Sequence, residues 1–87
     1  IVTTDVWTSM NNETSAKERR KVFKNFFVEE EDMSLADDNA IFLHCLPAHR
    51  GEEISFTMLE HAQSMVWDQA ENRLYAQQSL LEFLLAD

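Results

Sequence analysis

Three short segments of the chain combine residue types that can bind an amine or polarise a carbonyl group. The first is Asp5–Met10, in which an aspartate precedes two hydroxyl side chains. The second is His44–Pro47, which contains the chain's one cysteine, and the third is Asp68–Arg73, which contains two acids and an arginine. A carboxylate can bind an amine, a thiol can act as a nucleophile, and an arginine can stabilise negative charge that develops on an oxygen. These three segments are therefore the candidate sites.

The Asp5–Met10 segment has two interpretations. Its aspartate can bind an amine while Ser9 and backbone N–H groups hold a neighbouring carboxylate. It can equally be a loop before a helix, in which the Asp and Ser side chains satisfy backbone donors. Composition alone favours the second interpretation.

The His44–Pro47 segment also leaves alternatives open. Cys45 can be a small buried apolar residue or a nucleophile, and His44 can be a structural imidazole that joins two loops. His44 points to the opposite face of an extended chain, so it is poorly placed to activate Cys45. Because Pro47 favours an extended Leu46, we expect the carbonyl groups of Cys45 and Leu46 to point away from the sheet towards a ligand.

The third segment carries an arginine in an unusual place. Asp68 can cap the last helix, and Glu71 then completes a capping box. Arg73 would lie in the first helical turn, where the helix dipole disfavours a cation. It either pairs with Glu71 or Glu53 or has another use, and the pattern favours neither.

The elements around these segments predict an open α/β sheet. Apolar runs at Ile1–Thr4, Ala40–Leu43 and Ser64–Trp67 are typical of strands, and each ends at a polar residue. Helical stretches alternate with them, which favours a mainly parallel sheet. Ligands of such folds bind outside the carboxyl ends of the strands, so the three polar ends predict one shared site.

Shorter elements fill the intervals between the strands. We expect a helix capped by Thr14 or Ser15, an edge strand at Phe27–Val28, a short helix within Glu30–Ala36, and another short helix capped by Ser55. In the first short helix, Met33, Leu35 and Ala36 are expected to face inward, and the second short helix is expected to contain Phe56, Met58 and Leu59.

The last predicted helix, Ala70–Leu85, is apolar over much of its circumference. Leucines lie along one broad side, and Tyr75, Leu80 and Phe83 lie towards another. Helices with this pattern are usually buried, often against a second domain.

Composition limits the partners and the compartment. The chain has 87 residues and a formal charge of −9, from 16 acids and 7 bases, which argues against nucleic acid or an anionic membrane as partner. One cysteine rules out a disulfide within the chain and favours the cytosol. His44, Cys45, His49 and His61 do not match the spacing of a zinc site, so we expect no metal.

Taken together, the three segments resemble the ornithine carbamoyltransferase family. Its pattern is Asp-x-Trp-x-Ser-Met-Gly, then His-Cys-Leu-Pro, then Glu-Asn-Arg, and these motifs match Asp5–Met10, His44–Pro47 and Glu71–Arg73 in order and spacing. The resemblance runs from Ile1 to Leu85. Asn11 replaces the final Gly of the first motif, and Asn is one of the few other residues that tolerate positive φ.

The resemblance implies a reaction and a role for each residue. A carbamoyl group would pass from carbamoyl phosphate to the δ-amino group of L-ornithine, without cofactor or metal. Asp5 would orient the amine, while Ser9 and the Met10 backbone hold the amino-acid end. Cys45 would lie beside the reacting amine, the carbonyls of Cys45 and Leu46 would accept from the carbamoyl NH₂, and Arg73 would polarise the carbamoyl oxygen.

The resemblance also implies what accompanies this chain. It corresponds to a partial Rossmann-like, three-layer domain: 1–69 would form part of the ornithine-binding α/β domain, and 70–87 would pack on an N-terminal carbamoyl-phosphate domain. The family's Ser-Thr-Arg-Thr phosphate motif does not occur in the 87 residues, so we expect a piece of a longer cytoplasmic enzyme of arginine metabolism that forms trimers or larger assemblies. The alternatives are a non-catalytic assembly module and a transferase for another amine such as putrescine.

Overall fold

The computed structural model describes residues 1–9 and 15–86 and has an α/β architecture. Strand β1 is Val2–Thr3 and strand β2 is Phe42–Leu43, and they pair in parallel, with Val2 opposite Phe42 and Thr3 opposite Leu43. The helices are α1, Ala16–Phe23, α2, Glu30–Leu35, and α3, Val66–Leu85, with a 3₁₀ helix at Met58–Glu60. The predicted parallel α/β fold is confirmed.

Phe42 lies at the centre of the small sheet. Val2 N–H donates to the Ile41 carbonyl on one side of it, and on the other side Phe42 N–H donates to the Gln63 carbonyl. The side chain of Phe42 is completely buried, and it belongs to a core with Met33, Ile54, Met58, Leu59 and Val66. The continuous apolar run predicted a strand covered on both faces. Phe42 is buried on one face, but Leu43 on the other face is only half-buried and lines a cleft.

The prediction of a third strand at Ser64–Trp67 is wrong. Only Ser64 forms a bridge, to Phe42, and α3 begins two residues later at Val66. Met65 N–H donates to the Phe42 carbonyl, and the Met65 carbonyl then accepts from Gln69 N–H as the first helical bond. The chain therefore leaves the sheet after a single bridge, because the backbone of Met65 joins the sheet to the helix.

Three smaller predictions also need correction. The edge strand at Phe27–Val28 is reduced to one bridge between Val28 and Ile54. Leu35 is 83% exposed, because only Met33 of α2 reaches the core. Phe56 is also exposed, since the predicted helix is a 3₁₀ turn that starts at Met58.

Ser55 does not cap that turn but joins it to α2. Its hydroxyl donates to both carboxylate oxygens of Glu30, at 3.0 Å each, and the Thr57 hydroxyl donates to the same carboxylate. Hydrogen bonds from Thr57 and from the backbone lower the pKa of Glu30 below its ordinary value of 4.5. The contact therefore fixes α2 against the segment that follows Ile54.

We expect Glu30→Gln to lower the free energy of unfolding by about 1 kcal/mol at neutral pH, because hydrogen bonds to the charged carboxylate weaken. A lowered carboxyl pKa contributes stability above the unfolded pKa, and this stability is lost as the pH falls through the folded pKa. The difference between the variant and the parent chain should therefore shrink below pH 4.5. Urea unfolding at several pH values measures this. Glu31→Gln, in the same helical turn, is the matched control, and an equal effect of both changes would contradict the assignment.

The C-terminal helix α3 is exposed along most of its length. Every residue from 71 to 86 is exposed, including large apolar side chains such as Leu74, Leu81 and Phe83. The apolar circumference predicted from the sequence is therefore present, but nothing among residues 1–9 and 15–86 covers it. Among the described residues, no helix is long and apolar enough to cross a membrane.

Candidate functional site

The register of the two strands brings Asp5 and Cys45 together. Thr3 lies opposite Leu43, and each strand ends there, so the residues two positions beyond face each other as well. The Cys45 thiol donates to Asp5 Oδ1 over 3.4 Å. The predicted meeting of polar residues at the carboxyl ends of parallel strands is observed for these two residues.

Backbone contacts fix the Asp5 carboxylate in this position. Val6 N–H donates to Asp5 Oδ1 at 2.7 Å, so one oxygen accepts from both the backbone and the thiol. The Thr3 hydroxyl donates to the Leu43 carbonyl at 2.9 Å and closes the sheet edge just before the site. Asp5 itself remains exposed and accessible to a ligand.

The surroundings of Cys45 keep its thiol protonated. Partial burial raises the pKa of Cys45 above its ordinary value of 9.0, and the hydrogen bond and negative charge of Asp5 raise it further. The positive charge of Arg73 acts in the opposite direction. Since a nucleophilic cysteine needs a lowered pKa, these surroundings favour a hydrogen-bonding thiol over an attacking thiolate.

We expect Asp5→Asn to speed the alkylation of Cys45 by iodoacetamide near pH 8. The change removes a charge that raises the thiol pKa, so the thiolate fraction grows at every pH below that pKa. Rates measured from pH 7 to 10 give the midpoint, which should move downward. Asp38→Asn, an exposed acid in a distant turn, is the matched control. An unchanged midpoint in the Asp5 variant would contradict the contact.

A cleft of about 720 Å³ opens beside this pair of residues, and Arg73 lines it. Gln69 and Arg73 lie one turn apart on the same face of α3, and the cleft also contacts Leu43, Cys45 and Leu46. The Gln69 side chain accepts from His44 N–H at 3.0 Å, so α3 is attached directly to the end of β2. Arg73 and Cys45 thus share one cleft.

The predicted position of Arg73 within its helix is wrong, and so is the cap. Because α3 starts at Val66, Asp68 lies inside the first turn and does not cap the helix. Arg73 lies two turns from the start, where the dipole argument does not apply. Among residues 1–9 and 15–86, neither Glu71 nor Glu53 forms an ion pair with Arg73. Its guanidinium group is therefore available to the cleft.

The conformation of Leu46 also differs from the prediction. Its φ is 58°, in the left-handed region, and the Leu46–Pro47 peptide is cis. The Leu46 N–H donates to His44 Nδ1 at 2.8 Å, a local contact that competes with the extended conformation usual before proline. The orientation of the loop thus depends on His44 as well as on Pro47.

His44 is a buried structural imidazole rather than a partner of the thiol. Its Nε2 lies 2.8 Å from Glu53 Oε1, and both side chains are completely buried. The alternative in which His44 joins two loops is therefore the observed one. From the sequence, Glu53 was considered only as a partner of Arg73, because nothing in the sequence shows that it is buried beside His44.

The loop that carries Ser9 is attached to helix α1. Trp7 Nε1–H donates to the Phe26 carbonyl at 2.8 Å, and Arg19 donates to the Trp7 carbonyl at 3.1 Å. Ser9 is exposed at the end of this anchored segment. Met10, Asn11 and Thr14 lie outside the described residues, so their predicted roles remain predictions.

In the part of the chain that the structure describes, two groups of side chains have the composition of a metal site. Potential ligand atoms lie within 4.8 Å of one another in Asp5, His44 and Cys45, and in a second group formed by His49, Glu52 and Glu53. Both groups are already used in hydrogen bonds: the thiol with Asp5, His44 with Glu53, and Glu52 with Arg20 at 2.7 Å. These contacts favour hydrogen-bond networks over metal binding.

Comparison with known protein families shows which family this chain belongs to. Residues 1–84 match the family described as aspartate/ornithine carbamoyltransferase, Asp/Orn binding domain. The chain belongs to this family. Carbamoyltransferase relatives include a Bordetella avium protein named ornithine carbamoyltransferase, which is 58% identical over 85 residues. That alignment covers 98% of this chain and 27% of the relative, so the chain spans about a quarter of the relative's length.

Solved carbamoyltransferases have the same fold as this chain. The ornithine carbamoyltransferase of Burkholderia thailandensis superimposes with a TM-score of 0.80 at 48% identity, over 98% of this chain and 25% of that one. The anabolic enzyme of Campylobacter jejuni gives a TM-score of 0.85 at 45% identity, over 95% of this chain and 27% of that one. Membership of the carbamoyltransferase family, first suggested by the three motifs, is confirmed.

Proposed function

We propose that this chain supplies the ornithine side of a carbamoyltransferase site. The reaction moves the carbamoyl group of carbamoyl phosphate to the δ-amino group of L-ornithine and yields L-citrulline and phosphate. The observation that carries the proposal is the junction of Asp5 and Cys45 at the ends of two parallel strands, beside the cleft that Arg73 lines. The relatives named ornithine carbamoyltransferase support the choice of substrates.

Each side chain has a distinct task in this proposal. Asp5 binds and orients the attacking amine, while Ser9 and the Met10 backbone hold the amino-acid end of ornithine. Cys45 lies beside the reacting amine as a neutral hydrogen-bonding thiol, in agreement with its raised pKa. The carbonyl groups of Cys45 and Leu46 accept from the carbamoyl NH₂.

The chemical step is a substitution at the carbamoyl carbon. A neutral amine attacks that carbon, a C–N bond forms, and the bond from the carbon to the phosphate oxygen breaks. The amine loses a proton, and phosphate leaves with the bonding electron pair. Negative charge develops on the carbonyl oxygen, and the guanidinium group of Arg73 stabilises it without rearrangement. No cofactor or metal takes part.

A second domain completes this site. The phosphate needs a cationic binding motif, and residues 70–87 pack on the carbamoyl-phosphate domain that supplies it. The groove of about 700 Å³ between Leu74, Leu81 and Leu85 on α3 supports this packing, because exposed apolar surface of this kind favours association. The complete enzyme is a homotrimer or larger assembly, works in the cytoplasm, and serves arginine metabolism.

The coding sequence upstream of Ile1 gives the first test. We expect a Ser-Thr-Arg-Thr motif there, whereas a start codon near Ile1 would favour a non-catalytic assembly module. The exposed face of α3 is the observation that favours this second candidate.

A substrate panel gives the second test. We define the assembled enzyme as this segment joined in frame to the upstream part of its own gene, or otherwise to the N-terminal part of the Bordetella avium relative. Ornithine should be carbamoylated much faster than putrescine or aspartate. A preference for putrescine would reassign the substrate while leaving the carbamoyl chemistry intact.

A further inference from the structure

One carboxylate oxygen holds both ends of the loop that contains Cys45 and Leu46. Glu53 Oε1 lies 2.8 Å from His44 Nε2 and accepts from His49 N–H at 2.8 Å. His44 begins the loop and His49 ends it. The loop is therefore closed through the side chain of Glu53.

The hydrogen bonds of His44 define which of its nitrogens carries the proton. Leu46 N–H is always a donor, so Nδ1 must accept with its lone pair and carries no proton. Nε2 then holds the proton of a neutral imidazole and donates it to Glu53. A carboxylate that accepts from one ring nitrogen leaves the other nitrogen unprotonated as an acceptor. In His44 that acceptor, Nδ1, binds the Leu46 N–H group.

This arrangement leaves His44 no ring nitrogen for a hydrogen bond with the thiol. Both ring nitrogens are used, and Cys45 donates to Asp5 instead. The imidazole acts on Leu46, whose backbone it holds at a φ of 58°. The backbone angles of Leu46 affect the directions of the Cys45 and Leu46 carbonyl groups, because these belong to the peptide groups on either side of its Cα.

Stability alone does not account for the buried carboxylate. Its second oxygen, Oε2, is buried and has no hydrogen-bond partner among the described residues. A buried, unpaired polar atom opposes folding, and an apolar replacement of a buried ionic pair is often neutral or stabilising. Glu53 is therefore better explained by what it orients.

We propose that Glu53 and His44 are positioning residues for carbamoyl transfer. Glu53 selects the Nε2–H form of His44, and His44 holds Leu46 so that Cys45 and the adjacent carbonyls face the cleft. This inference rests on the proposed function, because the loop is proposed to place Cys45 beside the reacting amine and the two carbonyl groups beside the carbamoyl NH₂. It assigns neither residue a proton-transfer step.

Two substitutions at His44 separate its two contacts. His44→Asn keeps an acceptor near the position of Nδ1, whereas His44→Gln keeps a donor near the position of Nε2. In the assembled enzyme, His44→Gln and Glu53→Gln should lower kcat on the order of 100-fold, because a small misplacement of reacting groups has that effect. His44→Asn should retain several times more activity, and the KM for ornithine should change little in all three variants.

His61 offers a matched control for these substitutions. Its Nδ1 also accepts from a backbone N–H two residues ahead, that of Gln63, but it does not line the Cys45 cleft. His61→Asn and His61→Gln should leave kcat unchanged. If the two His44 variants have equal kcat values, and if the loss of kcat in each follows its loss of folding stability, His44 has only a structural role and the proposal is overturned.

NMR spectroscopy tests the effect of Glu53 on His44 without a measurement of enzyme activity. Long-range ¹H–¹⁵N spectra of the parent protein should show His44 as the Nε2–H form, and Glu53→Gln should admit the Nδ1–H form. A proton on Nδ1 in the parent protein would overturn the proposal. If the parent enzyme makes no citrulline, the proposed function fails, and these spectra still decide whether Glu53 selects the form of His44.

Discussion

Replacing Arg73 with methionine should lower the kcat of the assembled enzyme by a factor on the order of 10² to 10³, with little change in the KM for ornithine. Arg73 lines the same cleft as Cys45. In the proposed reaction its guanidinium group stabilises charge that exists only as the carbamoyl carbon is attacked. Removal of one such fixed donor from an enzyme site typically has this effect on kcat. Initial rates of citrulline formation at saturating carbamoyl phosphate measure it.

Two further variants make the Arg73 result specific. Arg73→Lys keeps the charge but loses the planar fork of donors, so it should recover only part of the lost rate. Arg20→Met removes one positive charge from an exposed pair with Glu52, outside the cleft, and should leave kcat near the parent value. An Arg73→Met enzyme that folds normally and keeps its full kcat would exclude Arg73 from the reaction.

Replacing Asp5 with asparagine should lower kcat/KM for ornithine about 100-fold. Asparagine keeps the shape and can still accept from Val6 N–H, but it loses the negative charge that binds the amine in the proposed reaction. A hydrogen bond to a charged group contributes roughly 1.5–3 kcal/mol, which corresponds to this range of affinity. Rates measured across ornithine concentrations, with carbamoyl phosphate saturating, give the ratio.

The Asp5 variant has an internal check and an external control. Urea unfolding of the variant checks that its fold is intact, because partial burial also raises the Cys45 pKa and a disordered loop would therefore speed alkylation as well. Asp38→Asn changes the net charge equally at a distant turn and should leave kcat/KM unchanged. If Asp5→Asn alters only the KM for carbamoyl phosphate, the assignment of Asp5 to the amine is wrong.

The junction of Asp5 with Cys45 could be predicted because it depends on a simple rule. Parallel strands end at the same edge of a sheet, and the apolar runs before Asp5 and His44 were recognisable as strands. Residues equally far beyond a paired position then face each other. The sequence was sufficient for this half of the site.

The start of α3 could not be predicted in the same way. The run Ser64–Trp67 is short and apolar, and such runs do not separate strand from helix by periodicity. The tertiary contact between Met65 N–H and the Phe42 carbonyl decides it, because the sheet takes one bridge from this segment and the helix follows. Because α3 starts earlier than predicted, Arg73 lies further from the start of the helix than expected. Arg73 still lines the cleft, because it follows Gln69 by four residues and so lies on the same helix face.

The conformation of the loop after β2 could not be predicted from neighbouring residues, because it depends on contacts with residues further along the chain. Proline favoured an extended Leu46, but a buried imidazole holds that residue in the left-handed region. The imidazole is fixed in turn by Glu53, and the burial of a glutamate beside exposed charged residues has no signature in composition. Such networks become visible only when the folded chain brings His44 and Glu53 together.

We propose that this segment forms one half of a carbamoyl-transfer site. Its most direct test is citrulline formation from carbamoyl phosphate and ornithine, compared between the purified 87-residue chain and the assembled enzyme. We predict that the assembled enzyme forms citrulline and phosphate in equal amounts and that the chain alone forms none. Citrulline made by the chain alone, or none made by a correctly folded assembled enzyme, would contradict the account.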